Sequence, residues 1–346
     1  MSSTLADVAK AAGLSSGTVS QILRNNDGRY SARTRERVLA VARELNYQPN
    51  ALAQSIRSGR SGIIGLLIPS RWNIAADPFA SLIISHLEQT LLVSGRKILL
   101  SSLTDDDLEA QRLPDILSRR YVDAVLVYGC HSEDYLKYLH RNCPEMVVID
   151  EILPHLPSLT SDHAAGGRMA AECLWKNGHR NFAIFDGEDR EDRNFALRSQ
   201  AFRARIGELG GDPGRVTVYR DDVWSRTGGQ RAAAEMRKKG DPATAIFALN
   251  DFLAFNAVRF FLGNGIRVPE DLSVVGFDDT ALATALHPAL TTVHVDRQAM
   301  AEQAIAMRWN RVRRSTGRTN GPAGRSTSIS APKSRRVTPP VPMTRW

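Results

Sequence analysis

The sequence predicts an α/β protein built in three parts: a three-helix helix-turn-helix head, a short hinge helix, and a two-lobed domain of parallel sheets covered by helices. Three observations predict it. The first sixty residues carry caps and apolar spacing that suit short helices. From Gly62 onward, apolar strand-like runs alternate with amphipathic helical runs in two successive sets. Charge is also partitioned: residues 1–60 hold nine Lys/Arg against four Asp/Glu, residues 61–307 hold 26 against 33, and residues 308–346 hold ten against none. A basic head suits a polyanionic partner, and an acidic body does not.

The head comprises residues 1–48. In "TLADVAKAAGLSSGTVSQILRN", Thr4 and Asp7 stand at capping-box spacing and open a helix with Leu5, Val8, Ala9 and Ala12 on one face. Gly13 supplies the left-handed stop, Ser15 or Ser16 caps a second helix, and Val19, Ile22 and Leu23 face inward. The small Ala9, the turn residue Gly13 and the packing residue Val19 have the spacing of a helix-turn-helix. A third helix follows Ser31, with Val38, Leu39, Val41, Ala42 and Leu45 at helical spacing. An ordinary three-helix bundle would share the apolar pattern; the basic balance and the polar start of the second helix argue against it. In this motif the N-terminal residues of the second helix reach base edges in the major groove. Here those are Ser16, Gly17 and Gln21. Glutamine pairs bidentately with adenine, serine is permissive and glycine reads nothing. Thr4, Ser15, Thr18, Ser20 and Asn25 are candidate phosphate contacts, with Arg24 and Arg29 in reach of the same role.

Residues 49–61 form the hinge. "PNALAQSIR" starts a helix that Ser58 and Gly59 stop after about two turns, too short to be stable in water by itself.

The body, residues 62–307, alternates strand and helix. "GIIGLLIPS", "RKILLSS", "DAVLVYG" and "EMVVIDE" read as strands of a first lobe, with "FASLIISHLEQTLLVSG" and a stretch from Leu108 to Arg119 as helices. After Asp162 the alternation restarts: "NFAIFDG", "RVTVYR", "AIFALN" and "LSVVGFD" are strands, each separated from the next by an amphipathic helix. Lobe one takes about 62–162 plus 293–307, and lobe two about 163–292. Two such lobes, with a crevice between the carboxyl ends of their strands, make a small-ligand cleft. Asp150, Asn250, Asp251, Asp278 and Asp279 close strands and are the polar candidates for it; Asp278 and Asp279 read as capping or structural acids.

The chain resembles the LacI/GalR family of bacterial transcription regulators. "TLADVAKAAGLSSGTVSQIL", "TRERVLAVARELNYQPNALAQSIRSGRSGIIGLLIP", "GIRVPEDLSVVGFDD" and "HPALTTV" carry the resemblance, which runs from about Thr4 to Ala304. It implies a periplasmic-binding-protein-like body, operator binding as a homodimer, repression, and control by a small effector, a sugar or derivative. It also implies effector contacts. Arg198 in "RSQAF" matches an arginine that grips effector hydroxyls or carboxylates, with Asp251 opposite it. Trp224 matches an aromatic that stacks on a sugar face, or else sits in the core. Asn194 and Asp150 fit further cleft positions, and Phe79 a wall position. In the hinge, Ile56 stands where the family carries a leucine that wedges between base steps in the minor groove. Asn50, Ala53, Gln54 and Arg57 would accompany it, Ala53 by permitting close pairing of two hinges. A packing role for Ile56 against its twin is the alternative.

Residues 308–346 do not fit. "RWNRVRRSTGRTNGPAGRSTSISAPKSRRVTPPVPMTRW" is rich in Arg, Pro and Ser and reads as disordered, without the closing strand lobe two requires. It is either a basic arm for non-specific DNA affinity or a terminus out of its ancestral frame.

Other classes are excluded or disfavoured. There is no P-loop, G-x-S-x-G or H-E-x-x-H motif and no singled-out carboxylate pair, so no enzyme, cofactor or metal is expected. Cys130, Cys143 and Cys173 lack metal spacing and suit a reducing compartment. No apolar run is long enough for a membrane span, and the first residues do not read as a signal peptide, so a cytoplasmic location is expected.

Overall fold

A computed structural model describes residues 3–23, 29–48, 59–70, 74, 77–188, 193–223, 225, 227–315, 327–328 and 334–335. The chain divides into two compact units, Met1–Gly62 and Ile63–Trp346.

In the first unit, α1 (Leu5–Ala12), α2 (Ser16–Leu23) and α3 (Ala32–Glu44) form the three-helix head. The capping box on α1 is complete in both directions between Thr4 and Asp7, and Gly13 ends the helix at φ 63°. Ser15 caps α2, its Oγ accepting from the Thr18 amide at 3.1 Å. Ser31 caps α3 through the Thr34 amide. Val8, Ala9, Ala12, Val19, Ile22, Val38 and Ala42 bury themselves together, with Leu5, Leu14, Leu23, Tyr30, Val41, Leu45 and Tyr47 packed round them. Leu39, one of the apolar residues at helical spacing on α3, is exposed.

The second unit holds two six-stranded sheets. The first, in spatial order β11-β5-β4-β3-β1-β2, is parallel throughout: β1 (Ile63–Pro69), β2 (Lys97–Leu103), β3 (Ala124–Tyr128), β4 (Met146–Ile149), β5 (Ser158–Thr160) and β11 (Thr327–Ser328). It carries α4 (Pro78–Val93), α5 (Asp105–Glu109), α6 (Asp115–Ser118) and α7 (Glu133–Asn142). The second sheet, ordered β12-β10-β9-β8-β6-β7, contains β6 (Phe182–Gly187), β7 (Thr217–Asp221), β8 (Ala245–Ala248), β9 (Ser273–Asp278), β10 (Thr291–His294) and β12 (Ser334–Arg335). Its helices are α8 (His163–Lys176), α9 (Arg193–Glu208), α10 (Gln230–Lys239), α11 (Asp251–Gly263) and α12 (Ala281–Ala285). A last helix, α13 (Arg297–Ser315), leaves lobe two and packs against α4 of lobe one. The central strands are buried along their whole length, as strands covered on both faces must be.

Three features differ from the sequence reading. The helix expected from Leu108 to Arg119 is two short helices, because Pro114 cannot continue the first and instead precedes the second. Helix α7 and strand β5 were not expected at all. The tail expected to be structureless from 308 contributes the end of α13 and two short strands. β11 joins β5 in parallel (Thr327 opposite Leu159), and β12 joins β10 antiparallel (Thr292 opposite Arg335). The closing edge of lobe two is therefore present, though only two residues long.

Candidate ligand cleft and nucleic-acid interface

The carboxyl ends of both sets of strands border a cleft that is open at its mouth. Lobe one contributes Asp77, Phe79, Tyr128, His131, Asp150 and Glu151; lobe two contributes Asn194, Phe195, Arg198, Asn250 and Asp278. Of the six expected effector contacts, Phe79, Asp150, Asn194 and Arg198 line this space. Trp224 lies outside the described residues. Asp251 is not among the residues that line the cleft. A second, small cavity within lobe two is lined by Leu174, Val258, Val274, Leu286 and similar residues, with no charged side chain among the described residues of its wall.

Each polar group of the cleft is positioned by local structure. Asp77 caps α4 ahead of Pro78, accepting from the Phe79 and Ala80 amides at 2.9 and 3.0 Å, and its other oxygen accepts from the Tyr128 hydroxyl at 3.3 Å. Burial, together with the Asp77 carboxylate, pushes the Tyr128 phenol well above its ordinary range. His131 Nδ1 and Glu151 form a short hydrogen-bonded pair across the ends of β3 and β4.

Arg198 is the central cation, only 3% exposed. Its Nε donates to His163 Nδ1 at 3.2 Å and its NH1 to the Leu249 carbonyl, while the guanidinium stacks 3.7 Å from the Phe277 ring centre. Because Nδ1 accepts, the His163 proton is on Nε2, which donates to Thr160 Oγ1 at 2.8 Å and lies 3.4 Å from Asp150 Oδ1. Burial raises the Asp150 carboxyl, but hydrogen bonding from His163, the Arg198 charge and the Thr160 hydroxyl outweigh it and hold it below the usual carboxylate range. Asn194 Nδ2 donates to the Asp150 carbonyl at 2.7 Å, a direct tie between the lobes. This packing needs Gly167 on α8: a Cβ there would lie 2.3 Å from the Arg198 carbonyl oxygen.

Asp278 and Asp251 exchange the roles expected of them. Asp251 is 1% exposed and turned inward, accepting from the Thr280 amide (2.7 Å), the Thr280 hydroxyl (3.0 Å) and the Thr292 hydroxyl (2.5 Å). It stitches the start of α11 to β9 and β10. Burial pushes it up to about 6 despite those donors. Asp278 instead faces the cleft, its Oδ1 accepting no hydrogen bond, with Arg198 NH2 at 3.6 Å. Burial, opposed by Arg198 and reinforced by Asp251, holds its carboxyl well above the ordinary range. Asp150, Asp278 and Asp279 all have positive φ (63°, 111° and 55°), a conformation costly for residues other than glycine and concentrated here at the cleft. Arg297, at the start of α13, donates to the Asp278 and Asp279 carbonyls and holds that turn. Sequence reasoning missed Asp77, Tyr128, His131, Glu151, Phe195 and Arg297; the strand ends and the Asp-Pro start of α4 were the signals available.

In the head, Ser15, Ser16 and Gly17 are exposed at the start of α2, and Thr18, Ser20 and Gln21 are partly so. Thr4 spends its hydroxyl on Asp7, at 2.7 Å. Asn25, Asn50, Ala53, Gln54, Ile56 and Arg57 lie outside the described residues.

With this geometry in place, the comparisons are specific. The model of "Bacterial regulatory proteins, lacI family" matches residues 4–50, and that of the periplasmic binding protein-like domain matches residues 171–334. The HTH-type transcriptional regulator DegA of Bacillus subtilis (strain 168) is 34% identical over 301 residues, covering 85% of this chain and 86% of DegA. The chain belongs to the LacI family of bacterial regulatory proteins. The HTH-type transcriptional repressor PurR of Erwinia tasmaniensis is 31% identical over 322 residues, covering 89% of this chain and 90% of PurR. Among solved structures, the lac repressor dimer bound to operator and the anti-inducer ONPF aligns with a TM-score of 0.77 at 27% identity, covering 90% of this LacI-family chain and 93% of that one. The transcriptional regulator CelR in complex with cellobiose aligns at 0.65 and 27%, covering 91% and 94%. This LacI-family member is thus a DNA-binding regulator of transcription controlled by a small molecule, and not an enzyme. No helix among the described residues is long and apolar enough to cross a membrane.

Proposed function

We propose that this protein is a cytoplasmic repressor that binds a near-palindromic operator as a homodimer and takes an uncharged polyol, a sugar or sugar derivative, in the cleft. The observation that carries the effector class is Asp278, a buried carboxyl group facing the cleft whose Oδ1 accepts no hydrogen bond among the described residues and has only the Arg198 guanidinium near it, at 3.6 Å. A ligand hydroxyl supplies the missing donor, at the net worth of about 0.5–1.5 kcal/mol usual for a hydrogen bond between neutral groups. Among the described lining residues, Asp77, Asp150 and Glu151 bring three carboxyl groups against the one guanidinium of Arg198, which disfavours an anionic effector. Phe79 and Phe195 offer apolar faces for the C–H side of a sugar ring. The cellobiose bound by the relative CelR is of this chemical class.

Operator binding follows from the exposed start of α2 and the basic head, and two copies of one reading head call for two half-sites. Control is allosteric if the effector distinguishes two arrangements of the lobes; Asn194, Arg193 and Arg297, which tie the lobes across the cleft, are the contacts that would differ. A thermal-shift screen of neutral sugars, sugar phosphates and sugar acids tests the class. A neutral sugar at a hundred times its Kd should stabilise by about 2.7 kcal/mol. Stabilisation by phosphates or acids alone would overturn the reading.

A further inference from the structure

The first residues of α9 reach across the cleft. Asn194 and Phe195 line it, and Arg193, directly before them, is exposed at its rim. Arg193 NH2 donates to Glu133 Oε2 at 3.3 Å, and its NH1 donates to the Ile152 carbonyl at 3.4 Å. Both partners belong to lobe one, and both follow lining residues. Glu133, the first residue of α7, comes two after His131, and Ile152 comes directly after Glu151. Lys137 Nζ holds Glu133 from its own helix at 3.0 Å. Hydrogen bonds from Lys137 and then from Arg193 keep the Glu133 carboxyl below the ordinary carboxylate range, so it meets Arg193 as an anion at neutral pH.

Separating the lobes breaks this ion pair, and closing them re-forms it. The pair differs from the charges deeper in the cleft in one respect. The Arg193 and Glu133 side chains are 51% and 32% exposed, against 4% and 9% for Arg198 and Asp278. Salt screens an exposed pair and leaves a buried one much less affected. The remaining tie from the start of α9, Asn194 to the Asp150 carbonyl, carries no charge on either side.

We propose that Arg193 and Glu133 latch the cleft over the bound effector, so that the affinity of this regulator for an uncharged sugar falls as ionic strength rises. An uncharged ligand has no attraction of its own for salt to screen, so a salt dependence reports the latch. Arg193 is a positioning residue: it acts by holding lobe one to lobe two. The inference rests on the reading of the cleft as the site of a neutral sugar, and the test separates the two.

The experiment is calorimetric titration of the full-length wild type, Arg193→Gln, Glu133→Gln, the double variant and Arg193→Lys. The probe is whichever of cellobiose, glucose, galactose and xylose most raises the wild-type melting temperature. Titrations are run in about 50 and about 500 mM NaCl, which moves the Debye length from beyond the ion pair to its own scale. The wild-type Kd should rise roughly 1.5- to 5-fold between the two, the range an exposed ion pair contributes. At low salt each Gln variant should bind more weakly by the same factor and lose the salt dependence. The double variant should bind no more weakly than either single one, and Arg193→Lys should keep the salt dependence. A wild-type Kd that does not change with salt, or single losses that add in the double variant, overturns the latch and leaves the sugar reading standing. If none of the four sugars raises the melting temperature, the sugar reading fails and the latch with it. Should Glu133→Gln not fold, the wild type and Arg193→Gln still decide: equal salt dependence in the two overturns the latch.

Discussion

Asp251 and Asp278 are buried aspartates at the ends of adjacent strands, and their surroundings give them opposite work. Asp251 has three donors from Thr280 and Thr292 and holds lobe two together; Asp278 has an oxygen with none and faces the cleft. Both carboxyls are raised, so the folded state keeps a proton at pH values where the unfolded chain has released it. Their contribution to stability is therefore full below the unfolded value of 3.8 and declines as pH rises, up to about 6 for Asp251 and further for Asp278. Asp278→Asn removes the ionisable group while keeping the shape. Urea unfolding should find it more stable than wild type by roughly 0.5–2 kcal/mol at pH 7.5, with the gain shrinking at pH 5. A variant less stable at both pH values would show that Asp278 is structural. At this scale the sequence was only half legible. Matching motifs pointed to Arg198, Asp150, Asn194 and Phe79, all of which line the cleft, but a strand end gives a residue's position and not the direction of its side chain. Asp278 lines the cleft and Asp251 does not, the reverse of what their strand-end positions suggested.

At the scale of elements, caps and breakers were the most legible features. The Thr4–Asp7 box, Gly13 and Ser31 do what their spacing requires, because each satisfies a named backbone group at a helix end. Pro114 carried an equally plain signal against the single helix drawn across it. Helix α7 was hidden because its buried Tyr135, Leu136 and Leu139 sit within a charge-dense stretch that reads as solvent-facing. The contact between α8 and α9 was not legible, since it depends on what faces Gly167 rather than on its neighbours in sequence. Gly167→Ala would drive its Cβ into the Arg198 backbone. Calorimetry should show a loss of about 1–3 kcal/mol, and effector affinity should fall with it, since the helix that moves carries Arg198. An unchanged melting temperature would mean that the helices separate without cost.

At the scale of the molecule, composition separates a basic head from an acidic body near the boundary of the two compact units, and it gave no sign of the short strands at residues 327–328 and 334–335. Two-residue strands have no periodicity to detect, so β11 and β12 were invisible in an Arg- and Pro-rich tail, although each closes the edge of one sheet. Truncation after residue 315 should therefore lower the melting temperature of the body by several degrees while leaving the spectrum of a folded protein; no change would return the tail to a purely electrostatic role. The central claim spans the whole chain: an effector held by Arg198 and Asp278 alters operator binding by the head. The most direct test is the operator affinity of the wild type and of Arg198→Ala, each with and without a sugar that stabilises the wild type. The account predicts that the sugar shifts wild-type affinity by about 5- to 150-fold, while Arg198→Ala binds operator as tightly as the sugar-free wild type and does not respond. An Arg198→Ala protein that still responds with the wild-type shift would contradict it.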